Sequence, residues 1–231
     1  MSLKKFEHVI LTKFNTQPFD GELVYDRGFP ENWMDYRMGL FERTKKSVLS
    51  QDADFRWVIA LDPRTHDRYV KRICSDRRIS VTAEDIRGYF DNHRPQADWV
   101  ITTRLDNDDF YLPGALKAIQ GAFEPMLKVI DISFFKMHNH TEELYISERL
   151  NSMFISLVEP SERVVTVFAR PHGQLSGGYP ISGSWDTSWG VTRRIPYERI
   201  EEPQVVMVCH GRNASNQITS TDRYFCELKD L

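Results

Sequence analysis

Cysteine is scarce: Cys74, Cys209 and Cys226 are the three in 231 residues, and no CxxC pair occurs. That spacing argues against a disulfide framework and a cysteine zinc site, and it suits a reducing compartment. No apolar run approaches the length of a membrane span. The first residues, MSLKKFEHVILTKF, carry charge but no apolar signal-peptide core, so a cytoplasmic location is the expectation. Peripheral contact with a membrane surface stays open. Against that background the N-glycosylation patterns at Asn139 (NHT) and Asn213 (NAS) read as chance matches. The formal net charge is −3, with no general basic field, so nucleic acid is not an expected partner. There is no internal repeat and no linker-like stretch. One domain over 1–231 is therefore expected.

What is present is an alternation of strand and helix signals. Glu7 to Phe14 is a β-branched apolar run, followed by a loop punctuated by Pro18, Gly21, Gly28 and Pro30. Met34, Met38, Phe41, Val48 and Leu49 lie at helical spacing within Trp33 to Ser50. Phe55 to Leu61 reads as a buried strand ending in Asp62-Pro63, and Thr65 as the cap of a helix to about Cys74. A strand at Arg78 to Thr82, a helix at Ala83 to about His93 and a strand at Asp98 to Arg104 follow. Pro113 suits the first turn of a helix to about Phe123. This order predicts an α/β fold with a mainly parallel central sheet flanked by helices. In such sheets ligands sit outside the carboxyl ends of the strands. The second half is irregular: strands are expected at Val129 to Met137, Arg163 to Ala169 and Gln204 to Cys209, and a short helix at Asp222 to Leu228.

The stretch DWVITTRLDNDDF, Asp98 to Phe110, carries the clearest chemistry. A strand delivers Arg104 and then three carboxylates, Asp106, Asp108 and Asp109. Carboxylates so crowded repel one another, and a divalent cation relieves that repulsion. Hard oxygen ligands point to Mg²⁺ or Mn²⁺. A calcium loop of the EF-hand type fails, because the fifth and sixth positions counted from Asp106 are Phe110 and Tyr111. A solvated Asx-rich turn is the alternative.

The segment RLDNDD resembles the DXD region of GT-A-fold glycosyltransferases. The stretches HVILTKFN, RMGLFERTKKSVLSQDADFRWVIALD, ITTRLDNDDF and VVMVCHGRNASN are similar to a bacterial rhamnosyltransferase-like group of that superfamily. The resemblance implies a GT-A-like domain with a nucleotide-binding half (1–125) and an acceptor-side half (126–231). It implies a nucleotide-sugar donor, with rhamnose as the sugar its label suggests, and a glycan or other hydroxyl acceptor. Metal ligands would come from Asp106, Asp108, Asp109 and His210, with Asp108 foremost. Asp106 would face the ribose or a metal-bound water, and Asn213 the phosphates.

Thr12 and Asn15 follow the first strand and are donor-pocket candidates with Asp62. Asp62 would accept from a pyrimidine N–H, or it forms an Asx-type turn before Pro63. Arg104 either pairs with diphosphate or bridges to Asp106. An inverting transfer, expected by analogy, needs a base on the acceptor side. Asp186, between Trp185 and Trp189 in SGSWDTSWG, is the candidate; Glu201 and Glu202 compete with it. His138 and His140 share a strand face without a third ligand nearby, so they read as a hydrogen-bonded or exposed pair. A nucleotidyltransferase would need a Gly-rich, basic loop after the first strand, which FNTQPFDGELVYDRGFP does not provide. A non-catalytic nucleotide-sugar or glycan-binding protein on a degenerate GT-A fold is the rival of another class.

Overall fold

The computed structural model describes residues 5–16, 33–86, 88–146, 153–168, 195–210 and 217–231. Four strands form its parallel centre: β1 (Phe6–Lys13), β2 (Arg56–Ala60), β3 (Ile79–Thr82) and β4 (Trp99–Arg104). They lie side by side in the order β3-β2-β1-β4. The connecting helices are α1 (Trp33–Leu49), α2 (Asp67–Ile73) and α3 (Tyr89–Asn92). The expected α/β class is the observed one.

Alternation along β1 explains why both faces are covered. Ile10 packs in one cluster with Met38 and Phe41 of α1 and Tyr69 and Ile73 of α2. Val9 and Leu11 point the other way and cluster with Tyr89 and Phe90 of α3. Each such aliphatic side chain contributes about 1.5–3 kcal/mol by leaving water. A strand sandwiched this way must be apolar on both faces, which is why HVIL reads as a continuous run.

The second half adds β5 (Phe110–Tyr111), α4 (Ala115–Gly121), β6 (Lys128–His138), β7 (Glu143–Ile146), β8 (Ile155–Pro160), β9 (Tyr197–Cys209) and β10 (Arg223–Glu227). β8 is antiparallel to both β4 and β6, and β6 is parallel to β9. β9 therefore runs in the same direction as β4, and the two carboxyl ends emerge on one rim. β2 flanks β1 on one side and β4 on the other. The strand order reverses there, so the ends of β1 and β4 form a switch-point crevice.

Several local expectations change. Arg163 to Phe168 is not a strand. The buried carboxylate of Glu159 accepts hydrogen bonds from the N–H groups of Val165 (2.9 Å) and Thr166 (3.2 Å), and Thr166 takes φ 68°. That interaction turns the chain before a ladder can form. Asp222 to Leu228 is strand β10 rather than helix, then a 3₁₀ turn at Leu228–Asp230. Its two consecutive aromatics meet rings on β7 and β6, Tyr224 on Tyr145 and Phe225 on Phe135. The helix expected from Ala83 shortens to α3, and the one after Pro113 begins only at Ala115. Gly114 precedes it at φ 86°, a conformation that glycine adopts without a Cβ clash. His66, not Thr65, caps α2; the Thr65 hydroxyl donates to the Asp62 carbonyl instead. The strand expected at Gln204 is the end of a longer β9. Its register on β6 breaks between Ile132 and Phe134, where Glu201 to Gln204 bulge out.

Candidate functional site

Asp108 and His210 meet at the switch-point rim. Asp108 follows β4 and His210 follows β9, and His210 Nε2 lies 2.9 Å from Asp108 Oδ2. Both side chains are nearly buried, at 1% and 8% exposure for His210 and Asp108. Burial pushes the Asp108 carboxyl up, but the hydrogen bond from His210 and the charge of Arg37 outweigh it and hold it below the usual carboxylate range.

Two residues of α1 that the motif reading passed over complete this centre. Tyr36 Oη lies 3.0 Å from His210 Nδ1. Arg37 Nη1 donates to Asp108 Oδ2 at 3.0 Å and lies 3.4 Å from His210 Nε2. Arg37 Nη2 donates to Asn107 Oδ1. Asn107 in turn donates to the Phe14 carbonyl (2.8 Å), and its own carbonyl accepts from Thr44 Oγ1 (3.2 Å). One asparagine thus ties the acidic loop to the end of β1 and to α1. The signal was available in the sequence: Arg37 stands three residues after Met34 and four before Phe41. A charge inside an apolar helical stripe needs a carboxylate opposite it.

The other two carboxylates turn away from this pair. Asp106 is held in a two-pronged bridge by Arg104, Nε to Oδ1 at 3.1 Å and Nη2 to Oδ2 at 3.0 Å. The structural reading of Arg104 therefore holds, and its guanidinium also lies 5.5 Å from the centre of the Phe168 ring. Asp109 is fully buried, and its Oδ1 accepts from the Val208 N–H of β9 at 2.8 Å. Oδ2 has no partner among the described residues. Burial, with the charges of Asp108 and Asp106 beside it, pushes Asp109 well above the usual range. Two adjacent carboxyls are thus driven in opposite directions, Asp108 towards the ionised form and Asp109 towards the neutral one.

Of the four expected metal ligands, the structure brings two together. Among the described residues no group of three His, Cys, Asp or Glu side chains converges. The pair nonetheless fits a divalent cation. A carboxylate oxygen and an imidazole nitrogen are donors that such an ion accepts, and Asp108 and His210 would be the residues that hold it. Mg²⁺ in such sites takes its remaining ligands from phosphate and water. Nε2 must be unprotonated to bind a metal, and Tyr36 can then accept the proton bond from Nδ1.

The donor-pocket candidates are mostly framework. Thr12 is fully buried: its hydroxyl donates to the Leu105 carbonyl (2.7 Å) and accepts from Trp57 Nε1 (2.9 Å). It offers no atom to a ligand, contrary to expectation. Asn15 clamps β1 to the end of β2, accepting from the Asp62 N–H (2.9 Å) and donating to Thr65 Oγ1 (2.8 Å). The Asp62 carboxylate accepts from the Arg64 N–H (2.8 Å) and from its guanidinium, so the Asx-type turn is the observed state. Glu201 is exposed in the β9 bulge beside Arg199, and Glu202 is exposed there too. Asn139 separates His138 and His140, whose rings are 5.7 Å apart. Asp186 and Asn213 lie outside the described residues.

No protein-family model matches the sequence, and no curated protein matches it. Solved structures do. Residues 1–349 of S. aureus TarS align over 89% of this chain at 12% identity and a TM-score of 0.44. TarS in complex with UDP aligns at 11% identity and a TM-score of 0.43. The chain spans about 60% of the TarS chain it matches. The inositol-1-phosphate CTP transferase of T. maritima aligns over 89% of this chain and 90% of its own, at 10% identity and a TM-score of 0.34. No helix among the described residues is long and apolar enough to cross a membrane.

Proposed function

We propose that the protein transfers a sugar from a nucleotide-sugar donor to an acceptor hydroxyl, the donor diphosphate lying at the switch point between β1 and β4. One observation carries the reading: Asp108 and His210, 102 positions apart, converge to 2.9 Å on the ligand-binding rim of a parallel sheet. A divalent cation bound there, Mg²⁺ or Mn²⁺, would supply Lewis-acid stabilisation of charge growing on the leaving phosphate oxygens.

The chain's own groups do the rest. Asp108 is ionised and offers Oδ2. Tyr36 fixes the ring of His210 and accepts either tautomer. Asn107 holds the acidic loop against α1, so the pair is set before a ligand arrives. Arg37 places positive charge beside the Asp108–His210 pair, where the diphosphate would lie, while Arg104 stays paired with Asp106. Asp186 is the proposed base for the acceptor hydroxyl, and Asn213 the proposed phosphate contact after His210. Inversion is the proposed course, and rhamnose is the first donor sugar to try.

The test is thermal unfolding with Mn²⁺ and a panel of nucleoside diphosphates. A ligand at about 100 times its dissociation constant adds about 2.7 kcal/mol. For a chain of this size that raises the melting temperature by about 5–10 °C. Asp108→Ala should abolish the shift. Absence of a metal-dependent shift with any nucleotide would overturn the reading.

A further inference from the structure

The cation that faces Asp108 and His210 is the guanidinium of Arg37. Its Nη1 lies 3.0 Å from Asp108 Oδ2 and 3.4 Å from His210 Nε2, the same two atoms a divalent ion would use. Nη2 is held by Asn107 Oδ1. The Nε–H is buried and has no partner among the described residues. A guanidinium offers five donors in a rigid fork, so this one has capacity left for a second anion. The Trp33 ring lies 5.9 Å from the guanidinium carbon.

Two cations cannot both sit against Asp108 Oδ2 without strong repulsion. A divalent ion that takes Oδ2 and Nε2 must push Nη1 aside. The displaced head stays within a side chain's reach of whatever anion the ion brings with it, and a guanidinium pairs with phosphate through two parallel hydrogen bonds. We propose that Arg37 and the divalent ion exchange at Asp108, the guanidinium leaving the carboxylate for the donor's phosphate oxygens when the ion arrives. The inference rests on the sugar-transfer reading above, and it adds a phosphate-binding residue and an order to the site. It also means that Arg37 attracts a diphosphate by itself but opposes the metal by itself.

The test uses the full chain with two probes, Mn²⁺ alone and inorganic pyrophosphate in the presence of saturating Mn²⁺, each followed by calorimetry. Arg37→Gln should bind Mn²⁺ at least about tenfold more tightly than the parent and pyrophosphate at least about tenfold more weakly. Arg37→Lys keeps the charge, so its Mn²⁺ affinity should stay near the parent value. A merely structural Arg37 would weaken both affinities on substitution, and that result overturns the exchange. Should Arg37→Gln fail to fold, the parent decides: Mg²⁺ with pyrophosphate should shift the Arg37 guanidinium nitrogen resonances, and unchanged resonances overturn the proposal. A parent that binds neither probe rejects the sugar-transfer reading itself. A parent that binds both, with Arg37→Gln unaltered, rejects the exchange alone.

Discussion

Replacing Lys136 by Met tests how the chain beyond His210 is anchored. Lys136 stands in β6, opposite Met207 of β9 and Tyr145 of β7. Its ammonium donates to Asp222 Oδ2 at 2.7 Å and to the Gln217 carbonyl at 3.0 Å. The two side chains are 2% and 1% exposed, so the pair is out of water. Methionine keeps the apolar stem and removes the charge. Asp222 Oδ2 would keep the Thr219 N–H (2.7 Å) and hydroxyl (3.0 Å), while Oδ1 already lacks a partner among the described residues. Breaking a buried pair from one side costs about 3–5 kcal/mol, because a lone charge stays behind. The two surviving neutral donors put the expected cost near the low end, about 3 kcal/mol, or about 6–12 °C in melting temperature. Urea unfolding at neutral pH measures it. The double variant Lys136→Met with Asp222→Leu should recover most of the loss, since no uncompensated charge remains. Burial raises the Asp222 carboxyl, but Lys136 and the Thr219 N–H and hydroxyl outweigh it and hold the group below its usual range. Its contribution is thus present above about pH 4 and fades as acid titrates the folded group, so the gap between parent and Lys136→Met should narrow there. A cost under about 1 kcal/mol at pH 7, the worth of an exposed pair, would refute the reasoning.

Two further outcomes follow from buried polar groups in β1. Thr12→Val strands the Trp57 N–H and the Leu105 carbonyl in the core and should cost about 2–5 kcal/mol, with Thr12→Ser restoring most of it. A Thr12→Val protein of parental stability in urea would show that these bonds are not made. Burial pushes His8 down to about 3, with Nε2 2.7 Å from Thr103 Oγ1. Between about pH 6.5 and pH 3 the unfolded chain holds the extra proton, so His8 makes stability fall by about 1.4 kcal/mol per unit of acidification. His8→Gln should lose that component, and parallel pH profiles for parent and variant would count against a neutral buried imidazole.

The parallel half of the sheet was legible because a strand buried on both faces must be apolar throughout, and α1 must show its stripe at Met34, Met38 and Phe41. The acidic strand end was legible for a related reason: carboxylates cluster after an apolar run only where something compensates them. What sequence could not divide was labour within the cluster. Asp106, Asp108 and Asp109 are chemically alike, and their roles follow from neighbours supplied by distant segments: Arg104 for the first, Arg37 and His210 for the second, the Val208 N–H for the third. The strand misread at Arg163 to Phe168 has the same origin, since VVTVF has the composition of a ladder but Glu159 claims its amides. Composition and periodicity act over a few residues, and they determined the elements and the kind of chemistry at their ends. Electrostatics and hydrogen bonding act across space, and tertiary packing alone decided that Asp108 is the carboxylate that meets His210, with Arg37 against both.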